Sequence, residues 1–114
     1  MIVVVFEVWP RPDARSTYLD LAASLADELR EVDGFISVER FQSLVDPDKL
    51  LSLSLWRDEA AVAAWRNRPD HRDAQVAGRD SVFRDYRLRV ATVLRDYGAQ
   101  DRAQAPADSR DRLE

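Results

Sequence analysis

At 114 residues, 46% of them apolar and 33% charged, the chain is long enough for one hydrophobic core and short of a second. A net charge of −4 excludes the basic face that a phosphate-backbone binder needs, so no nucleic-acid partner is expected. With no cysteine there is no disulfide framework, thiol nucleophile or thiolate metal site, and one histidine without a local carboxylate cluster argues against a protein-held metal.

The opening run Met1–Phe6 is apolar but meets Glu7 too early for a membrane span. It has no basic leader and no small-residue cleavage site, so the expectation is a cytoplasmic protein with no membrane association. Residues 2–9 read as a strand with Ile2, Val4, Phe6 and Val8 on one face and Val3, Val5, Glu7 and Trp9 on the other. Both faces are mainly apolar, which predicts a central strand covered on both sides. Pro10-Arg11-Pro12 ends it. A helix follows over about 15–32, with Tyr18, Leu21, Ala22, Leu25, Leu29 and Val32 on one stripe and Asp33-Gly34 as its stop.

Residues 35–44 alternate as a strand, Asp46-Pro47-Asp48-Lys49 forms a turn, and 49–56 alternates leucine with serine, so the two segments predict a hairpin. Asp58 is placed to cap a short helix over 59–66, whose Ala61, Val62 and Trp65 share a face. Pro69 suits the first residue of another helix, on which His71, Ala74, Gln75 and Gly78 form one stripe. Tyr86, Leu88, Val90, Thr92 and Leu94 alternate with Arg87, Arg89, Ala91, Val93 and Arg95 as a last strand. Residues 98–114 have almost no apolar anchor and read as a disordered tail after a domain spanning 1–97.

The order strand, helix, strand, strand, helices, strand is that of a ferredoxin-like α+β fold: a split βαβ arrangement with a four-stranded antiparallel sheet and helices on one face. Leaving the other face in water would expose a larger apolar patch than monomers usually carry, so a homodimer joined through the open sheet face is expected.

In order and spacing, Asp33-Gly34-Phe35, Leu55-Trp56, Glu59-Ala60, Trp65 and Pro69-Asp70-His71 resemble the antibiotic biosynthesis monooxygenase family, a dimeric α+β barrel. The resemblance implies an oxidoreductase with a cavity between helices and sheet. The family's haem-degrading branch uses an asparagine on the first strand and a histidine ligand in the helix after Trp65. This chain has Glu7 and Gln75 at those positions, which disfavours haem. The cofactor-free branch implies a monooxygenase or oxidase that acts on a phenolic or quinol-type aromatic molecule without a cofactor. On that reading His71 is the base, Trp65 an indole N–H donor, Arg79, Arg87 or Arg89 steadies the anion, and Gln75, Arg79 and Tyr86 are the expected substrate contacts; Glu7, a lone carboxylate in an apolar strand, is by its own chemistry a further catalytic candidate. An asparagine and an arginine of that branch fall near Ala61 and Asp85 here.

Each of these residues also has a structural reading. Trp65 fits a core plug, His71 a helix-terminal hydrogen bond and Glu7 an ion pair with an arginine across the sheet. Taken together, those readings describe a non-catalytic dimer that binds a small molecule or a partner protein.

Overall fold

The computed structural model describes residues 1–69, 73, 76 and 81–113. His71, Gln75, Arg79 and most of the helix expected after Pro69 lie outside the described residues.

Strand β1 (Ile2–Pro10) is central, with β3 (Leu50–Trp56) on one side and β4 (Phe83–Thr92) on the other; β2 (Phe35–Gln42) pairs outside β3. The order β2-β3-β1-β4 is antiparallel throughout, the ferredoxin-like α+β arrangement read from the sequence. Because side chains alternate across a strand, register fixes both faces at once. Ile2 stands opposite Trp56 and Thr92, Val4 opposite Ser54 and Val90, Phe6 opposite Ser52 and Leu88, and Val8 opposite Leu50 and Tyr86. The even-numbered residues of β1 and β3 therefore face the helices. Val3, Val5, Leu51, Leu53 and Leu55 lie on the other, open face.

Helix α1 (Arg15–Arg30) buries Tyr18, Ala22 and Leu29, the expected stripe. It ends through hydrogen bonds from the N–H groups of Glu31 and Val32, and Gly34 then takes φ +90°. Helix α2 (Glu59–Arg66) starts at Asp58, whose Oδ1 accepts from the Ala61 N–H at 2.9 Å. The two helices are clamped where they meet the sheet. Arg57 donates to both oxygens of Asp33 at 3.1 Å and to Asp58 at 3.1 Å, and its N–H bonds the Gly34 carbonyl at 2.7 Å.

Two buried apolar clusters form beneath the helices. Ile2, Leu29, Val32, Trp56, Ala61 and Trp65 make the first. Val8, Ala14, Tyr18, Leu50 and Val82 make the second. The serines of β3 lie under the helices rather than in water: Ser54 is buried and accepts from the Trp56 indole at 2.9 Å.

Beyond β4, where the composition suggests a disordered tail, the structure has a turn and a short helix, α3 (Ala107–Leu113). Arg110 folds back onto the carbonyls of Arg102 and Ala103 at 2.6 and 2.7 Å, a local interaction that hydrophobic pattern does not register. Among the described residues, no helix is long and apolar enough to cross a membrane.

The Gly34 junction is sterically closed. A Cβ there would stand 2.7 Å from the Ala61 Cβ, in addition to the strain of a positive φ. Gly34→Ala is expected to cost about 2–4 kcal/mol in urea unfolding. Asp33, Asp46 and Asp58 hold their protons less tightly than ordinary carboxyls. The causes are, respectively, the Arg57 guanidinium, the Trp9 indole N–H and the Ala61 backbone N–H. With folded values below unfolded ones, their contribution is complete above the ordinary carboxylate range and is lost as pH falls through the lowered values. Thermal melts should thus change little down to about pH 5 and begin to fall below about pH 4, modestly because these carboxylates are screened by solvent. Asp58→Asn, which keeps a cap acceptor but loses the charge, should flatten that drop.

Candidate functional site

Glu7, Trp65 and Tyr86 do not converge. Glu7 lies on the open face, between Leu51 and Arg87 in register, and its carboxylate is shared by Lys49 at 3.4 Å and Arg89 at 3.3 Å. The ion-pair reading of Glu7 is the one the geometry matches, since a carboxylate on this face cannot reach the helix side of the sheet. Lys49 also lies over the Trp9 ring, 5.2 Å from its centroid, and the Trp9 indole donates to Asp46 at 2.9 Å. A cavity of about 230 Å³ opens beside this group, lined by Glu7, Phe41, Gln42, Ser43, Lys49, Leu50 and Leu51. Its one carboxylate is already neutralised by two cations.

Trp65 is buried on α2 against Ile2, Leu29, Val32 and Trp56, where it fastens the helix to the sheet. That is the core reading of the residue. Tyr86 is on the helix side too, but in the other half of the domain, 42% exposed. Its ring lies 5.9 Å from Phe6 and 5.9 Å from Phe83. A register shift between Trp9 and Pro10 puts Phe83 opposite Pro10, which turns Phe83 and Tyr86 to one side although they are three residues apart. Phe83 also meets the Tyr18 ring edge-on at 5.7 Å. Leu88 and Val90 continue this face along β4 and stay about half exposed, at 53% and 45%. The result is a partly exposed aromatic and aliphatic surface on the helix side of β1 and β4.

Its inner edge is polar. Arg40 on β2 stands opposite Ser52, and Ser52 opposite Phe6, so one row runs from guanidinium to hydroxyl to ring across the sheet, and on to Leu88. Arg40 lies against the Tyr18 hydroxyl of α1. Burial pushes that hydroxyl above its ordinary range, and the Arg40 charge only partly opposes the shift, so Tyr18 is a protonated donor at neutral pH. The Arg40 Nε–H is itself buried without a hydrogen-bond partner. The row runs along the edge of the second apolar cluster, against which Phe6 packs.

Sequence pattern gave Tyr18 as a core residue and Arg40 as one charge in an alternating strand. Nothing in either local pattern signals that they meet. Phe83 had no signal because the period-two reading begins at Tyr86. Among the described residues, no group of three or more histidine, cysteine, aspartate or glutamate side chains is placed to hold a metal.

Comparison with known proteins agrees with this architecture. The family model "Antibiotic biosynthesis monooxygenase" matches residues 1–77. A protein of Pyricularia oryzae named jasmonate monooxygenase ABM is 48% identical over 93 residues, which are 82% of this chain and 43% of that protein. The chain thus spans less than half the length of this curated relative. Among solved structures, Rv0793 of Mycobacterium tuberculosis superposes with a TM-score of 0.76 at 24% identity, covering 85% of this chain and 98% of the other. PA3566 of Pseudomonas aeruginosa does so with 0.71 at 14% identity, covering 82% and 93%. Those two likenesses concern the fold. With the family model matching well over half of the residues, the chain belongs to the antibiotic biosynthesis monooxygenase family.

Proposed function

We propose that the chain is a monooxygenase that works without metal, haem or flavin on a phenolic or quinol-type aromatic molecule, bound against the helix-side aromatic surface. The observation that carries this reading is the aromatic surface itself: Phe6, Phe83 and Tyr86 form an aromatic bed in a domain of a monooxygenase family, with the protonated Tyr18 hydroxyl and Arg40 at one end. The chemistry asks little more of the protein. A bound phenol loses its proton to a base, and the phenolate gives an electron to dioxygen. The resulting radical pair joins at a ring carbon, and the peroxide eliminates water to leave a quinone. One oxygen atom enters the product and the other leaves as water, so no external reductant is consumed. Preorganised donors near the oxygen that gains charge lower the barrier. His71 is the proposed base, imidazole being the side chain whose reference titration lies nearest neutral pH. Gln75 and Arg79 are proposed as further substrate contacts beside Tyr86, while Trp65 serves by holding α2 in place.

The same proposal includes a homodimer through the open face. Val3, Val5, Leu51, Leu53 and Leu55 form a contiguous apolar surface there, extended by the exposed Phe41. Covering such a patch with a second copy removes it from water, at about 25 cal/mol for each Å² of apolar area.

Oxygen uptake tests the reaction. A panel of hydroquinones and phenols, with jasmonate included because of the named relative, should give substrate-dependent oxygen consumption and quinone absorbance. His71→Ala should lower kcat by about 10²-fold or more, the usual contribution of a general base. Tyr86→Ala should raise KM. Uptake with no member of the panel would leave a binding module in place of an enzyme. Leu53→Glu, which puts a charge in the centre of the open face, should convert a sedimenting dimer to monomer at micromolar concentration. A wild-type protein that sediments as a monomer would remove the dimer.

A further inference from the structure

The row Arg40, Ser52, Phe6, Leu88 grades from cation to hydroxyl to aromatic to aliphatic across one face of the sheet. A ligand lying along it would meet a charge at the β2 end and apolar surface at the β4 end. Three observations give the β2 end an unmet demand for an anion. The Arg40 Nε–H is buried and has no hydrogen-bond partner. Among the described residues, no carboxylate pairs with Arg40. The Tyr18 hydroxyl beside it is buried and protonated. Leaving a guanidinium N–H buried and unpaired is costly, and natural structures rarely do so without a ligand or ion to complete it.

From this geometry we infer that Arg40 and Tyr18 form an anchor for a carboxylate carried by the substrate, whose apolar body lies over Phe6, Phe83 and Tyr86. One guanidinium with neutral hydroxyl donors matches a single negative charge. The planar guanidinium edge and the Tyr18 O–H can each donate to one oxygen of a carboxylate. The anchor sets orientation: with the acid held at β2, the ring is directed towards β4. The inference deepens the reading above, since it takes the helix-side aromatic surface as the ligand site, and it narrows the substrate to aromatic acids. Arg40 and Tyr18 are binding and positioning residues here; neither is assigned a step in the reaction.

The test compares 2,5-dihydroxyphenylacetate with its methyl ester, binding being measured by calorimetry without oxygen. The wild-type protein should bind the acid about tenfold or more tightly than the ester, the value of one charge-assisted hydrogen bond. Arg40→Gln should lose that preference while binding the ester as before. Arg40→Lys should recover only part of it, since an ammonium lacks the planar edge. Tyr18→Phe keeps the ring against Phe83, removes the donor and should weaken acid binding about fivefold. If Arg40→Gln fails to unfold cooperatively in urea, Tyr18→Phe decides the matter. Equal binding of acid and ester, binding of neither, a preference that survives in Arg40→Gln, or one that Tyr18→Phe leaves undiminished overturns the anchor. Oxygen uptake is a separate readout. Acid preference without uptake keeps the anchor and removes the oxygenase reading, whereas uptake of the ester without acid preference does the reverse.

Discussion

Everything in this domain depends on β1 being apolar on both faces at the centre of the sheet. Its even-numbered residues hold the helices, and its odd-numbered residues hold the open face. Period-two geometry makes these assignments inseparable, because a slip of one residue would exchange both sets. Glu7 shows the consequence. As an odd-numbered residue it belongs to the open face, where Lys49 and Arg89 neutralise it, and it has no route to the helix side.

The second constraint is the junction at Gly34. Helix α1, the start of β2, the end of β3 and the start of α2 all meet there within a few residues. The left-handed turn, the closeness of Ala61 and the Arg57 contacts with Asp33 and Asp58 fix the approach of both helices to the sheet. With the helices set in this way, Trp65 and Trp56 fill one half of the interior and Tyr18 and Val8 the other. Ser52 and Ser54 are too small to join the two halves. A domain that packed leucines of β3 under the helices would have a continuous core. This one packs Ser52 and Ser54 there and turns Leu51, Leu53 and Leu55 outward, which among the described residues leaves two separate buried clusters and an apolar open face. The helix-side surface beside the second cluster and that open face are the candidate ligand site and the candidate dimer surface, so one choice of register accounts for both.

The sequence by itself determined the elements and their order. Apolar periodicity located α1, Asp33-Gly34 its stop and Asp58 the cap of α2, and alternation located four strands. These signals are local: backbone conformation and helix-end chemistry depend on a few neighbouring residues. The two-sided apolar character of β1 also located it in the centre of the sheet, because only a central strand can bury both faces. Motif spacing then carried the family. What the tertiary structure decided was the direction of each alternating face and the meeting of residues distant in the chain. Alternation states that Ser52 and Leu53 point opposite ways, but not which one faces the helices. Tyr18 and Arg40 lie in separate elements and look ordinary in each. Only the docking of α1 on the sheet brings a buried hydroxyl against a guanidinium whose Nε–H is buried, and only the register shift beside Pro10 turns Phe83 towards Tyr86.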